Sequence, residues 1–488
     1  MPTLQINAST ITASVRSRDN DFASPEEVRT TFTLAMSTMY RNEVPLYGDL
    51  IRIVDDVNEG ILSEQPGSTK ERLLSQRLDV ERHGAIRLGT PYELRTVARL
   101  FSILGLKAVG YYDLSVAGLP MHATCFRPVD YKSLDQNPFR VFTTLLRPDL
   151  ITDPDTRELT SKLLSKRDIF SPKLLDFINK AETNGRLLRI SDVSDFIAEA
   201  IKTFSWEPEA FASEEEYKQL AQSHPILADI ASFKSAHINH LTPRTLDITR
   251  SQQQMKEEGL RVKHRIEGPP LRQCPILLRQ TSFLALEERI QFRNGLGVLV
   301  EGTHRARFGE IEERGAAVTP AGRKLYDDLL NTVMKKISQS LDTQSPEAID
   351  ATMAEVFRDY PDSWSELRKQ DLIYRTYHRT SKQGHNMSGS DSLEELVEQG
   401  YLTAEPITYE DFLPFSAAGI FASNLGNSQQ DQPQGKPRSD QAGLESALGY
   451  ATLDADKLYL EIQNESIKRC GLHCKLTSRS VYSAPDAI

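Results

Sequence analysis

His83-Gly-Ala-Ile-Arg87 and His240-Leu-Thr-Pro-Arg244 decide how this 488-residue chain is read. Each motif sets an arginine four positions after a histidine, beside a strand-like stretch at about 81–88 or 233–241. Thr90-Pro91 follows the first motif and opens a helix whose Leu94, Val97, Ala98, Phe101 and Leu104 recur at helical spacing. Gly105 ends that helix, because glycine enters the left-handed conformation of a helix C-terminus without strain. The second motif contains Thr242-Pro243, and a helix-compatible stretch from about 248 ends at Gly259. Both units then continue as Gly-Leu-Lys or Gly-Leu-Arg, at 105–107 and 259–261. Strand candidates rich in Val, Tyr, Phe and Thr follow the first helix at 107–114, 121–127 and 139–147, and others follow the second at 261–266, 275–283 and 297–312. Self-similarity of this kind predicts a duplicated unit of one strand, a helix and three strands, in an α+β fold.

Outward from the two units the chain reads as helices. Residues 1–24 form a flexible N-terminus, and Ser24 before Pro25, Glu26 and Glu27 is an N-cap with proline and acids in the first turn. The helix it starts, with Leu34, Met36, Met39 and Leu46 on its apolar face, belongs with the first unit in a region spanning 25–149. Residues 150–232 read as a helical insertion capped at Asp153, Ser171 and Ser213. The second unit spans 233–319, and 320–488 is a helical C-terminal region. That region holds an apolar, small-residue segment at 412–421 and a stretch at 424–445, rich in Gln, Gly, Pro, Ser and Asp, that reads as a mobile loop.

A net charge of −10 argues against nucleic acid, whose phosphates select a basic footprint, so an anionic substrate must be met by local cations. No apolar run reaches the ~20 residues of a membrane span. Four cysteines, at 125, 274, 470 and 474, make no disulfide framework and fit a reducing compartment, the cytoplasm being the default. Residues 1–18 contain arginines and hydroxyl side chains but no acid, a weak likeness to a mitochondrial transit segment and a minor alternative.

A metal that must also bind a chelating substrate and dioxygen is left three protein donors on one face, typically two histidines and one carboxylate. His83 and His240 hold equivalent places in the two units, so a pseudo-twofold arrangement brings them together. Glu310, in the last strand candidate, is the carboxylate, with Glu312 as its rival, because residues two apart on a strand share a face. His237 falls on the opposite face from His240 and reads as a supporting or structural residue. His122 and His304 read as core or surface histidines, and Cys470-Gly-Leu-His-Cys474 is too cramped for a zinc site without a second ligand pair. Arg87 lies ~13 Å along a strand from His83 on the same face. Its planar fork suits a carboxylate. No Walker loop, GxSxG elbow or HExxH motif occurs.

Six blocks in order resemble the 2-oxoadipate dioxygenase/decarboxylase family, a branch of the vicinal-oxygen-chelate superfamily, between about residues 27 and 425. They are Met39-Tyr-Arg-Asn-Glu-Val-Pro-Leu-Tyr47, Arg82-His-Gly-Ala-Ile-Arg87, Asn239-His-Leu-Thr-Pro-Arg244, Cys274-Pro-Ile-Leu-Leu-Arg-Gln-Thr-Ser-Phe283, Phe308-Gly-Glu-Ile-Glu-Glu-Arg-Gly315 and the Phe412–Phe421 segment. The resemblance implies paired βαβββ modules forming a curved mixed sheet around an Fe(II) site. It implies His83, His240 and Glu310 as metal ligands and Arg87 as the grip on a substrate carboxylate. Glu310-Ile-x-x-Arg314 also looks like the ligand strand of 4-hydroxyphenylpyruvate dioxygenase, which favours Glu310 over Glu312. The 412–421 segment closes over substrate on this reading, with Ser416 as its polar contact and Phe415 where a smaller valine is expected.

The activity so implied converts 2-oxoadipate and dioxygen to 2-hydroxyglutarate and carbon dioxide, a step of lysine degradation, without external 2-oxoglutarate. Partners are then a small 2-oxo dicarboxylic acid and O2, with no nucleic acid or membrane. A metal-dependent isomerase or lyase on the same scaffold is one alternative. A non-catalytic metal- or metabolite-binding protein is the other.

Overall fold

The computed structural model describes residues 21–64, 81–294, 297–339, 345–382, 392–413 and 438–472. The fold is α+β and divides into two compact units. The first comprises Met1–Pro269, Leu278–Arg314 and Glu410–Ala455, and the second Pro270–Leu277, Gly315–Tyr409 and Asp456–Ile488.

The first unit carries the expected strand–helix–three-strand order: β1 (His83–Leu88), helix Pro91–Ile103, β2 (Lys107–Asp113), β3 (Met121–Arg127) and β4 (Arg140–Leu146). Thr90 caps the helix reciprocally with Glu93, and Gly105 sits at φ +71° just beyond its end. Ser24, Asp153, Ser171 and Ser213 each cap a helix as read, at the starts of Pro25–Glu43, Pro154–Leu164, Pro172–Thr183 and Glu214–Ser223. Helices Ile190–Phe204 and Pro225–Ala231 complete the inserted region, together with the two-residue strand β5 (Glu209–Ala210).

The second repeat departs from the pattern. Its first strand, β6, is only His240–Thr242, and helix Ile248–Glu257 follows. Residues 261–266 make a single isolated bridge, at Val262, rather than a strand, since Gly268-Pro269-Pro270 lies close behind and Gly268 takes φ +107°. A Cβ there would stand 2.1 Å from the Leu278 carbonyl oxygen. The remaining strands are β7 (Leu278–Ser282), β8 (Glu287–Arg293), β9 (Leu299–Arg305) and β10 (Glu310–Arg314). The expected strand at 297–312 is therefore two, because β9 pairs with β8 while β10 pairs with β7. Buried residues 306–309 cross between those sheets, pinned where the Tyr40 hydroxyl donates to the Asn239 and Phe308 carbonyls at 3.0 and 2.7 Å.

One sheet joins the two histidine motifs, in the order β2-β3-β4-β1-β6. β1 lies parallel to β4 and antiparallel to β6, and all six of its residues are buried. Gly84 permits the close pairing: a Cβ at this position would lie 2.5 Å from Ile238 Cδ1. Phe32, Phe101, Phe126, Phe139 and Phe204 pack against helix and sheet in the main core. At roughly 1.5–3 kcal/mol for each fully buried large apolar side chain, this cluster is a principal source of the unit's stability.

The second unit holds helices Pro320–Gln339, Pro346–Val356, Trp364–Lys369 and Leu393–Glu398 and most of Ala455–Arg469. It is not wholly helical, since β11 (Arg375–Arg379) and β12 (Leu402–Pro406) form an antiparallel pair. Part of the expected mobile loop at 424–445 is also ordered, because Asp440 caps a helix at Gln441–Leu448.

Buried arginines brace the first unit's interior. Arg127 chelates Asp411 at 2.7 and 3.0 Å, and Arg82 and Arg140 share Glu410. Burial opposes charge on Glu410, but Arg140 and Arg82 outweigh it and hold its pKa at about 2. A carboxylate depressed this far contributes about 3 kcal/mol of stability above its unfolded pKa of ~4.3, and loses it as pH falls toward 2. Denaturant melts at pH 7 and pH 3 should therefore differ more for the native chain than for Glu410→Gln, and equal acid sensitivity would contradict this assignment.

Candidate metal centre

Register delivers the two histidines to one place. His83 opens β1 opposite Thr242, and His240 opens β6 opposite Ala85, so both side chains leave the same face of the ribbon. Their Nε2 atoms lie 3.4 Å apart. Glu310 enters from β10, with Oε1 3.0 Å from His83 Nε2 and 3.8 Å from His240 Nε2. All three residues are buried, and their donor atoms fall within 4.8 Å of one another. Donors ~2.1 Å from one ion at right angles stand about 3 Å apart, so the spacing is that of three sites on an octahedral face.

Proton bookkeeping also asks for a cation. Glu312 Oε2 lies 2.8 Å from His83 Nδ1, which places the proton on Nδ1 and leaves the Nε2 lone pair facing His240 and Glu310. Glu310 Oε2 and His240 Nδ1 are buried without hydrogen-bond partners. Burial opposes charge on His83, yet Glu312 and Glu310 raise its pKa, whereas burial and the nearby His83 and Arg87 charges hold His240 well below the usual range. Unpartnered buried atoms on Glu310 and His240 beside the His83 ring fit a metal ion, which would displace any proton held between His83 and Glu310.

The surroundings orient these donors. Gln280 donates to Glu310 Oε1 at 2.7 Å, and Thr242 Oγ1 lies 3.2 Å from both Glu310 Oε1 and His83 Nε2. Arg314 chelates Glu312, and against the cost of burial Arg314 and His83 keep that carboxylate well below the ordinary pKa. Phe308 stacks on His240 at 4.6 Å between ring centroids, and Phe412 stands edge-on to His83 at 4.8 Å. Both acids of the β10 face are thus near His83, Glu310 at Nε2 and Glu312 at Nδ1. Glu312→Gln should weaken metal affinity about 10–100-fold, as loss of an orienting carboxylate does. Isothermal titration with Fe(II) or Co(II) checks this, and an unchanged affinity would contradict it.

Arg87 ends on Asp229, to which its Nη1 donates. Asp229 Oδ1 also accepts from His237 Nε2 at 3.0 Å and His304 Nε2 at 2.9 Å, while Trp206 stacks on His304. The Asp229 carboxylate stays well below its usual pKa, Arg87 and His237 overcoming burial. Asp229, His237 and His304 also converge tightly enough to suggest a metal, but two N–H donors on one oxygen and a guanidinium on the other complete the group without an ion. Asp229 was not singled out from the sequence, and Glu312 was weighed there only as the rival ligand to Glu310. A lone acid inside Pro225-Ile-Leu-Ala-Asp-Ile-Ala231 was the available signal for the first.

The other sequence candidates lie elsewhere or outside the description. His122, on β3, is held down at about 4 by burial and Arg147. The buried Cys470 thiol donates to the Tyr377 carbonyl at 3.4 Å, and Cys474 is outside the described residues. Phe415 and Ser416 are also outside them; Phe412 and Leu413 are the described part of that segment, and both are buried.

A buried face of two histidines and a carboxylate with adjacent cations defines the donor set of mononuclear metal enzymes that activate dioxygen. The profile of the 2-oxoadipate dioxygenase/decarboxylase family matches residues 32–424. The chain belongs to that family. It is 44% identical over 465 residues to the 2-oxoadipate dioxygenase/decarboxylase of Pseudomonas putida, covering 94% of this chain and 99% of that protein. The Escherichia coli K12 relative of the same name is 46% identical over 457 residues, covering 92% and 98%. Among solved structures, the hydroxyglutarate synthase of Pseudomonas putida in complex with 2-oxoadipate superposes with a TM-score of 0.83 at 42% identity, over 93% of this chain and 99% of that one.

Proposed function

We propose that this chain is an Fe(II)-dependent dioxygenase that decarboxylates and hydroxylates 2-oxoadipate, with His83, His240 and Glu310 as the metal ligands. The observation that carries the reading is the convergence of two histidines and a carboxylate in one buried pocket, within a family whose members bear that activity in their names. The reaction balances as 2-oxoadipate plus O2 giving 2-hydroxyglutarate plus CO2. Both oxygen atoms of O2 enter products, one in the new carboxylate and one in the hydroxyl group. Bound iron supplies the oxygen activation that no protein side chain offers.

The chain's own residues bind, orient and exclude water. Gln280 and Thr242 hold the Glu310 carboxylate, and Glu312 fixes the tautomer that turns His83 Nε2 inward. Arg87, steadied by Asp229, takes a carboxylate of the substrate as a charge-assisted pair. Phe308 and Phe412 keep the pocket apolar around the histidines, which strengthens each charge interaction inside it. Phe415 and Ser416 belong to the closing segment on this reading. The two histidine motifs are a diverged pair of βαβββ modules of the vicinal-oxygen-chelate type, the second interrupted after its helix, and the cytoplasm is the place of action.

The test is to strip the protein, reload it anaerobically with Fe(II), and supply 2-oxoadipate with 18O2. The account expects 2-hydroxyglutarate carrying two labelled oxygens, one of them in the hydroxyl group. Turnover without oxygen, or products lacking label, would overturn it in favour of isomerase or lyase chemistry.

A further inference from the structure

A second cleft, of about 760 Å³, opens on the first unit away from the metal centre. One wall is the helix Pro91–Ile103, which presents Arg95, Ala98, Arg99 and Ser102 to it at helical spacing. The start of β2, the turn after helix Pro172–Thr183 and residues 448–453 complete it. The sheet separates this cleft from the donor face. Ile86 and Leu88 share the main core with Leu94, Val97 and Phe101 of the helix, whereas alternation along β1 sends His83 and Arg87 to the other side.

Charge sets the cleft apart. In a protein of net charge −10, Arg95, Arg99, Lys107 and Arg186 line it against the single carboxylate of Glu182. That carboxylate is taken by Arg99 in two hydrogen bonds of 2.8 and 2.7 Å. Arg95 donates to the main-chain carbonyls of Ala447 and Ser446, at 3.3 and 3.0 Å. Among the described residues neither Lys107 nor Arg186 has a carboxylate within ion-pair distance, although the Arg186 charge is near enough to act on Glu182. Three helices end at the cleft, at Ile103, Thr183 and Leu448, and each C-terminus carries roughly half a negative charge. These ends offset about half of the cationic surplus, and the rest has no internal partner.

The remaining surface is not polar. Leu106, Ala108, Leu448 and Leu453 form an apolar floor, and the Tyr450 ring is 46% exposed beside it. Burial raises the Tyr450 pKa and the neighbouring Arg186 opposes the rise, so cation and ring stand together. A ligand that satisfies both features carries several negative oxygens at one end and a flat aromatic group at the other. We propose that this cleft binds a nucleoside di- or triphosphate, with its phosphates on Arg95, Lys107 and Arg186 and its base on Tyr450 and the apolar floor. The proposal does not depend on the metal centre.

The experiment is calorimetry on the full-length, metal-free protein at ~0.15 M salt, with ATP, pyrophosphate and adenosine as probes. ATP should bind with Kd below about 100 μM, pyrophosphate at least ~tenfold more weakly, and adenosine without measurable heat. The double variant Lys107→Gln/Arg186→Gln should weaken ATP at least ~tenfold. Tyr450→Ala should weaken ATP about tenfold and leave pyrophosphate within about twofold. Both variants, loaded with iron, should turn over 2-oxoadipate at the native rate, because the substituted side chains are exposed and lie across the sheet from the donors. Equal affinity for ATP and pyrophosphate overturns the inference, since it describes a bare cationic patch. ATP binding that survives the double variant, or that excess 2-oxoadipate displaces, places the probe elsewhere and overturns it as well. A native chain that binds none of the three probes overturns it outright.

Discussion

Glu310→Ala is expected to leave the protein folded, to lower iron occupancy below about a tenth, and to cut turnover at least ~1,000-fold, beyond the 10–100-fold typical of an orienting partner. Glu310 is the only carboxylate of the proposed donor face, and it alone supplies negative charge where His83 and His240 supply lone pairs. Without metal, Glu310 lies 3.0 Å from His83 Nε2, close enough to share a proton with it. The metal-free variant should therefore melt at or somewhat below the metal-free native chain, while the native chain alone gains stability on adding Fe(II), by mass action. Iron analysis, turnover and melting curves together check this. An alanine variant that keeps full iron content would remove Glu310 from the ligand set and return attention to Glu312.

Arg87→Ala should raise KM for 2-oxoadipate about 100-fold, a loss of ~2.7 kcal/mol of charge-assisted binding, with iron affinity unchanged. The substitution also strands the Asp229 carboxylate, which is buried and keeps only its histidine donors. Removing one partner of a buried pair costs about 3–5 kcal/mol, so a lower melting temperature should accompany the kinetic defect. The double variant Arg87→Gln/Asp229→Asn separates the two effects, because it removes both charges. It should recover most of the stability and none of the substrate affinity. A double variant with native KM would show Arg87 to be structural.

Most of what local chemistry specifies was readable from the sequence. Caps at Ser24, Thr90, Asp153, Ser171 and Ser213 announce their helices, since a hydroxyl or carboxylate must meet the first free N–H groups. Strands β1–β4 are apolar and β-branched enough to stand out. The equivalent places of the two histidine motifs pointed to a pseudo-twofold that brings His83 and His240 together, while the antiparallel pairing that achieves it was not read. The second repeat was misread where tertiary context decides. β8, Glu287-Glu-Arg-Ile-Gln-Phe-Arg293, is highly charged and becomes a strand through its pairing with β9. The β11–β12 pair is polar and separated by many residues, so nothing local marks it.

At the site, the histidine pair and a carboxylate of β10 were legible, because period-two alternation places 310 and 312 on one face. Which nitrogen of His83 each acid addresses was not, since that depends on the register of β10 against β7 and of residue 244 against Glu312. Asp229 was hidden for a similar reason: an acid in an apolar helix signals burial, but its partners Arg87, His237 and His304 come from three separate stretches of chain.

Anomalous diffraction at the iron edge from crystals reloaded with Fe(II) under nitrogen tests the central claim most directly. The account predicts one strong peak within bonding distance, about 2.0–2.3 Å, of His83 Nε2, His240 Nε2 and the Glu310 carboxylate. A peak between Asp229, His237 and His304, or none at the β1–β6 ribbon, would contradict it.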